Sequence, residues 1–142
     1  MGGIEFLTPD HGYALMVILY TNIMLIYLVM QVGKMRKKYE VKYPDMYSDK
    51  DPIFNCYQRA HHNTLEALPM FYSVFVPVAF VFPKIASILG AVWVTSRFSY
   101  AWGYYTGDPK KRLNGNYGVF GLLGLLLMLV YITVSQFGIL PI

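Results

Sequence analysis

The stretch "QRAHHNTLE" at residues 58–66 sets an arginine, two histidines, an asparagine and a glutamate directly before an apolar run. If this segment is helical, Arg59, Asn63 and Glu66 are spaced i, i+4, i+7 and share one narrow stripe. His62 lies near that stripe, whereas His61 points away from it. A second set follows in Arg97, Tyr100 and Tyr104, spaced i, i+3, i+7 and again on one stripe. Together the two stripes offer cations, one carboxylate, an amide and phenols. That set suits a small zwitterionic ligand with carboxylates and an ammonium group. The same residues also allow a purely structural reading, an internal ion pair of Arg59 with Glu66 or of Glu66 with Arg97. A metal is not expected: adjacent histidines face different sides of a helix, and His11 falls at the opposite end of the chain's first apolar span.

The elements that must carry these residues follow from composition. The chain has 142 residues, 56% hydrophobic and 14% charged, too apolar for an ordinary soluble domain of this size. A bilayer-spanning helix needs about 20 mostly apolar residues. Residues 13–32 and 118–138 reach that length without a charge, and 85–106 does so with Arg97 as its one charge. Residues 67–82 are uncharged but short, and span only if the polar motif joins their helix. The expectation is an all-α integral membrane protein: one domain over 1–142, a bundle of four membrane helices at roughly 10–34, 54–82, 85–107 and 115–138. "LTPD" at 7–10 reads as a helix start with Thr8 as cap. Asn22 and Gln31 read as hydrogen bonds between helices, and Gly118, Gly121 and Gly124 as a surface for close helix packing. Cys56 is the single cysteine, so no intrachain disulfide or CxxC couple can form.

Charge placement gives sidedness and depth. Of the 12 Lys and Arg, all but Arg59, Lys84 and Arg97 fall in the first and third connections, which the positive-inside rule puts in the cytosol. The run "KMRKKYEVK" at 34–42 also reads as an anchor for anionic lipid head groups. Glu66 and Tyr100 lie equally far, 17 residues, on either side of Pro83, where the chain turns. Equal distance from the turn of a helical hairpin means equal depth, so the two stripes can face each other in the cytosolic half. Charges at that depth cost about 2.5–3.5 kcal/mol each and need partners or a ligand.

"KMRKKYEVKYPDMY" (34–47), "IFNCYQRAHHNTLE" (53–66), "FPKIAS" (82–87) and "RFSYAWGYYTGDPKKR" (97–112) are the segments in which the chain resembles the MAPEG superfamily, membrane-associated proteins of eicosanoid and glutathione metabolism. The likeness is to its microsomal glutathione transferase branch. It implies a homotrimer of four-helix subunits in the endoplasmic reticulum, with the outer mitochondrial membrane as the alternative. It implies glutathione as co-substrate, held between subunits near the cytosolic side. By resemblance, Arg59, Asn63, Glu66, Tyr100 and Tyr104 bind glutathione on one subunit, with Glu66 as the one buried carboxylate for its ammonium. Arg36, Lys37 and His61 reach it from the neighbour, and Arg97 matches a further pocket arginine. Relatives use an arginine just beyond helix three to hold the thiolate. Arg112 keeps the residue type, whereas Lys111 keeps the ungapped register. Ala67 departs from relatives that carry a tyrosine after the glutamate.

The function these features imply is a membrane glutathione transferase with glutathione-dependent peroxidase activity. It would act on a hydrophobic electrophile or lipid hydroperoxide drawn from the membrane lipids, with leukotriene C4 formation as a special case. No nucleic-acid partner is expected. The rival readings are a non-catalytic lipid-binding adaptor of the same superfamily, and a proton or ion pathway using Glu66, Arg59 and His62. Retention of Arg59, Asn63, Glu66 and Tyr100 together argues against the adaptor. The confinement of charge to one half of the membrane argues against the pathway.

Overall fold

The computed structural model describes residues 6–142, and the regular structure among them is helical throughout. Helix α1 runs His11–Lys38, α2 Pro52–Val81, α3 Pro83–Tyr105 and α4 Gly118–Gln136, with a short 3₁₀ helix, Pro109–Gly115, between the last two. α1, α2 and α4 are long and apolar enough to cross a membrane. α3, of 23 residues, is not among those three: Thr95, Ser96, Arg97 and Ser99 interrupt its apolar run.

The helix ends differ from the sequence reading for local reasons. α1 continues past residue 34 to Lys38, because Arg36, Lys37 and Lys38 are good helix formers that complement the partial negative charge of a helix C-terminus. Tyr39 caps its end, and Glu40 follows with a φ of 55°, the left-handed turn that glycine usually supplies, while Val41 N–H donates back to the Arg36 carbonyl. The expected Thr8 cap is replaced by a histidine clamp. Thr8 N–H donates to His11 Nδ1 at 3.0 Å, so His11 Nε2 is the donor to the Phe80 carbonyl, also at 3.0 Å. That bond ties the start of α1 to the end of α2. α2 begins at Pro52, a residue suited to the first helical position. It runs through Pro69 and Pro77 and ends at Phe82, the one residue separating it from Pro83 of α3. α4 starts at Gly118 rather than 115, because the 3₁₀ helix takes up the preceding residues.

The core is mixed aromatic and aliphatic. Met24 and Leu28 of α1, Phe71, Phe75 and Val78 of α2, Val94 of α3 and Leu125 of α4 are fully buried. The Phe71 and Trp93 rings stack at 4.1 Å between centroids. The outward faces carry Leu15, Leu19, Ile23, Phe120 and Leu127, apolar side chains suited to lipid. Asn22 corrects the expectation of an interhelical bond: its amide donates to the Ile18 carbonyl one turn back in its own helix.

The glycine row does what its spacing suggested. A Cβ at Gly121 would sit 2.5 Å from the Leu89 carbonyl oxygen, one at Gly124 would sit 2.8 Å from the Leu89 side chain, and one at Gly118 would collide with Ser96. α4 therefore lies directly on α3. Gly121→Ala should destabilise the protein by the overpacking cost of about 1–3 kcal/mol, read as a lower thermal midpoint of the detergent-solubilised protein. An unchanged midpoint would show that the α3–α4 contact is looser than this geometry.

Candidate functional site

Asn63 stands at the centre of a hydrogen-bonded chain that joins three elements. Its Oδ1 accepts from Arg59 Nη2 at 2.5 Å, one turn earlier on α2. Its Nδ2 donates to the Tyr100 hydroxyl at 2.7 Å and the Tyr104 hydroxyl at 3.4 Å, both on α3. The amide orientation is fixed by chemistry, since a guanidinium can only donate. The Tyr104 oxygen accepts a second bond from Arg112 Nη1 at 3.2 Å, supplied by the 3₁₀ helix. At the other end, Arg59 Nη1 donates to the Tyr47 hydroxyl at 3.3 Å, from the connection between α1 and α2.

The proton count of this chain matters. The Tyr104 oxygen accepts from Asn63 and Arg112, and the Tyr100 oxygen accepts from Asn63. Both phenolic protons are then left to donate elsewhere. Arg59 and Arg112 add two guanidinium groups at the ends. A cavity of about 340 Å³ opens among Asn55, Cys56, Arg59, Tyr104 and Pro109. The arrangement gathers phenol and guanidinium donors around one amide, and Arg59 and Tyr104 also line that cavity, which suits an anionic ligand.

Backbone packing puts Arg112 there. A Cβ on Gly103 would overlap the Lys111 carbonyl, and one on Gly115 would meet the Ser96 carbonyl at 2.6 Å. With glycine at both points the 3₁₀ helix lies flat on α3 and aims Arg112 back at Tyr104. Lys111 contributes its carbonyl to that packing, and its side chain is exposed. Of the two cations read from sequence, Arg112 is the one brought to the cluster.

Arg97 takes a different position from its stripe-mates. Its Nε donates to Thr64 Oγ1 at 3.1 Å, and its guanidinium carbon sits 3.9 Å above the centre of the Tyr100 ring. It supports Tyr100 from behind by a cation–π contact and makes no pair with Glu66. Glu66 reaches Arg59 only at 3.9 Å, with its side chain 67% exposed. The expectation of a buried carboxylate is thus corrected for the single subunit: Glu66 lies on its surface.

Arg36, Lys37 and His61 are not drawn into the cluster of their own subunit. Arg36 is buried at the end of α1, where Nη1 donates to the Asp45 carbonyl at 2.7 Å and the guanidinium covers the Tyr43 ring at 4.4 Å. Lys37 is exposed and lines, with Lys34, Arg36 and Lys42, a cavity of about 1000 Å³ at that end of the helix. His61 is half-buried, 5.9 Å from His62.

Two contributors were missed by sequence reasoning. Thr64 holds Arg97, and Tyr47 caps Arg59. The connection that carries Tyr47 is pinned on both sides of it. Arg36 holds Asp45, while Asn55 Oδ1 accepts from Ser48 N–H and Asn55 Nδ2 donates to the Ser48 carbonyl, each at 2.8 Å.

Known proteins resemble this chain along most of its length. Residues 14–134 match the MAPEG family. An uncharacterized protein of Synechocystis is 39% identical over 114 residues, 77% of this chain and 75% of that protein. Microsomal glutathione S-transferase 2 of Bos taurus is 38% identical over 104 residues, 72% of this chain and 69% of its own, and the Homo sapiens protein of that name is 36% identical over the same shares. With a family match that spans all four long helices and the polar cluster they position, this chain belongs to the MAPEG family.

Proposed function

We propose that this protein is a membrane-bound glutathione transferase with glutathione-dependent peroxidase activity, working as a homotrimer of four-span subunits in the endoplasmic reticulum. The observation that carries the reading is the Arg59–Asn63–Tyr100/Tyr104–Arg112 chain, which uses the phenol oxygens as acceptors and leaves both phenolic protons and the remaining guanidinium N–H groups for a ligand. The relatives named as microsomal glutathione S-transferases support the choice of glutathione.

In this reading glutathione enters from the cytosolic side. Arg59 takes a carboxylate, and Glu66 of the same subunit pairs with the ammonium. Arg36, Lys37 and His61 of a neighbouring copy close over the peptide. Arg97 keeps Tyr100 in place. Arg112 faces the sulfur. A free thiol has a pKa of about 8.5, and a guanidinium beside it favours the thiolate, the nucleophilic form. Tenfold more thiolate corresponds to about 1.4 kcal/mol of such preference.

The chemistry then divides by substrate. With a hydrophobic electrophile, sulfur bonds to the electrophilic carbon, the leaving bond breaks with its electron pair, and a thioether forms. An allylic epoxide opened in this way is the leukotriene C4 case. With a lipid hydroperoxide, sulfur attacks the terminal oxygen and the O–O bond breaks. The lipid alkoxide takes a proton to become an alcohol. The resulting sulfenic acid of glutathione condenses with a second glutathione, giving the disulfide and water.

A difference titration of thiolate absorbance, with glutathione added to the purified protein at neutral pH, tests the reading. Wild-type and Lys111→Ala protein should develop the signal, and Arg112→Ala should lose it while still binding glutathione by calorimetry. A wild type that neither binds glutathione nor forms thiolate overturns the enzyme reading in favour of a lipid-binding adaptor. Glu66→Gln removes a charge-assisted contact and should weaken glutathione affinity about 10-fold or more. Unchanged affinity removes Glu66 from the site. Tyr47→Phe loses one hydroxyl and should raise KM about three- to tenfold while leaving kcat in place. A fall in kcat instead would place Tyr47 in the chemical step.

A further inference from the structure

The seam between α1 and α3 is filled in one half and open in the other. Toward the C-terminal end of α1 it is packed with rings. Tyr20 stacks on Phe98 at 5.9 Å between centroids, and Phe98 meets Tyr27 at 5.4 Å and Trp102 at 5.8 Å. Trp102 Nε1 donates to the Tyr27 hydroxyl at 2.9 Å. The Tyr20 and Thr95 hydroxyls, 2.9 Å apart, form a polar bar across the seam where this ring-filled half ends.

Beyond the bar, toward the N-terminal end of α1, α3 presents Ser87, Ile88 and Ala91 in place of rings. A cavity of about 580 Å³ opens there against Met16 and Val17 of α1. Ser87 turns its hydroxyl onto the Pro83 carbonyl at 2.6 Å, so it offers the cavity no polar hydrogen. At the mouth, Lys84 Nζ lies 3.2 Å from Asp10 Oδ2, with side chains 66% and 43% exposed. None of these residues belongs to the polar cluster around Asn63.

We propose that this half-seam binds one zwitterionic phospholipid: an acyl chain in the cavity, the phosphate on Lys84 and the head-group ammonium on Asp10. Three features of the gap carry the choice. Its walls are apolar along their length, and its volume falls in the range of small-molecule sites, roughly 300–1,000 Å³. From Lys84 to Ala91 it runs about 10 Å along the helix at about 1.5 Å per residue, which lies within one leaflet's share of a hydrocarbon core about 30 Å thick. Lys84 lines it, and Asp10, 3.2 Å from Lys84, adds the opposite charge beside it. A purely anionic head group would meet Asp10 unfavourably and a purely cationic one Lys84, whereas a ligand bearing both charges satisfies both. The phenol of Tyr13, which also lines the mouth, is an amphipathic ring of the kind that sits at head-group level.

The test is retention of defined lipid by the full-length protein, reconstituted with equal phosphatidylcholine and phosphatidylglycerol and read by native mass spectrometry after detergent exchange. Wild type should keep phosphatidylcholine in preference to phosphatidylglycerol. Ala91→Phe puts a ring into the open half, as Phe98 does in the other, and should abolish retention. Lys84→Gln, an exposed change that leaves the packing intact, should lower phosphatidylcholine retention about three- to fivefold. Asp10→Asn leaves Lys84 alone and should move the preference toward phosphatidylglycerol. Equal retention of both lipids by wild type, or undiminished retention by Ala91→Phe, overturns the proposal. A change in subunit number on Ala91→Phe does so too, because the seam would then be covered by a second copy of the chain.

Discussion

A polar atom withdrawn from solvent must find a partner within the protein, and the structure around Asn63 follows from that constraint. One side-chain amide takes a guanidinium on its oxygen and two phenols on its nitrogen, and so joins α2, α3 and, through Tyr104, the 3₁₀ helix. For these bonds to close, α2 and α3 must be in register. The single-residue joint at Phe82 sets that register, because it leaves no slack between Val81 and Pro83. The 3₁₀ helix must lie near enough for Arg112 to reach, which Gly103 and Gly115 permit. The connection before α2 must arch back for Tyr47 to reach Arg59, which the Ser48–Asn55 and Arg36–Asp45 bonds enforce. Features far apart in the chain thus serve the satisfaction of one small polar island.

The charges in this island are handled unequally. Arg97 is partly buried and is stabilised by a ring face and a hydroxyl rather than a carboxylate. Thr64 can serve it because the Thr64 proton is already committed to the Ala60 carbonyl at 2.9 Å, which leaves its oxygen as acceptor. Had Arg97 paired with Glu66, that carboxylate would be neutralised within the helix hairpin. Instead Arg97 is turned toward the core side of α2 while Glu66 stays on the subunit's surface. The two charges are kept apart, and the carboxylate stays available.

Much of this was legible in the sequence because periodicity and depth are sequence properties. The i, i+4, i+7 stripe on α2, the i, i+3, i+7 stripe on α3 and their equal distance from Pro83 bring Asn63, Tyr100 and Tyr104 together. The glycine row of α4 was readable for the same reason. What escaped notice lacks a period. Tyr47 sits in a connection, where spacing says nothing of direction. Thr64 sits next to Asn63 in sequence and so on a different face of α2, and nothing marked that face as the one Arg97 would choose. The choice between Lys111 and Arg112 depends on how a 3₁₀ turn lies against α3, which a one-residue ambiguity in register hides. Asn22 was read as bonding to another helix and instead finds the Ile18 carbonyl one turn back, as short polar side chains in helices readily do; Thr8 was read as the cap, but the helix starts later, with Asp10 at that position.

The exposed Glu66 has a consequence for assembly. It lies 14 residues into α2, about 21 Å along the axis from the start of that helix, well past its polar first turns. A bare carboxylate there facing lipid would cost about 2.5–3.5 kcal/mol, and Arg59 at 3.9 Å offsets part of that. In the proposed trimer a second copy covers the stripe and shuts out lipid. The covering copy must itself bring polar groups, or it would only bury the charge. The proposed trimer meets that need with the cationic end of α1, where Arg36 is already held rigid by Asp45 and Tyr43 and where Lys37 is exposed. In that proposed assembly the unpaired Glu66 carboxylate would also mark the ligand's place. A zwitterion that brings its ammonium to Glu66 and its carboxylates to the facing cations completes what each subunit leaves open. In that proposal binding and assembly would draw on one surface, and a ligand bridging two copies would strengthen the contact between them.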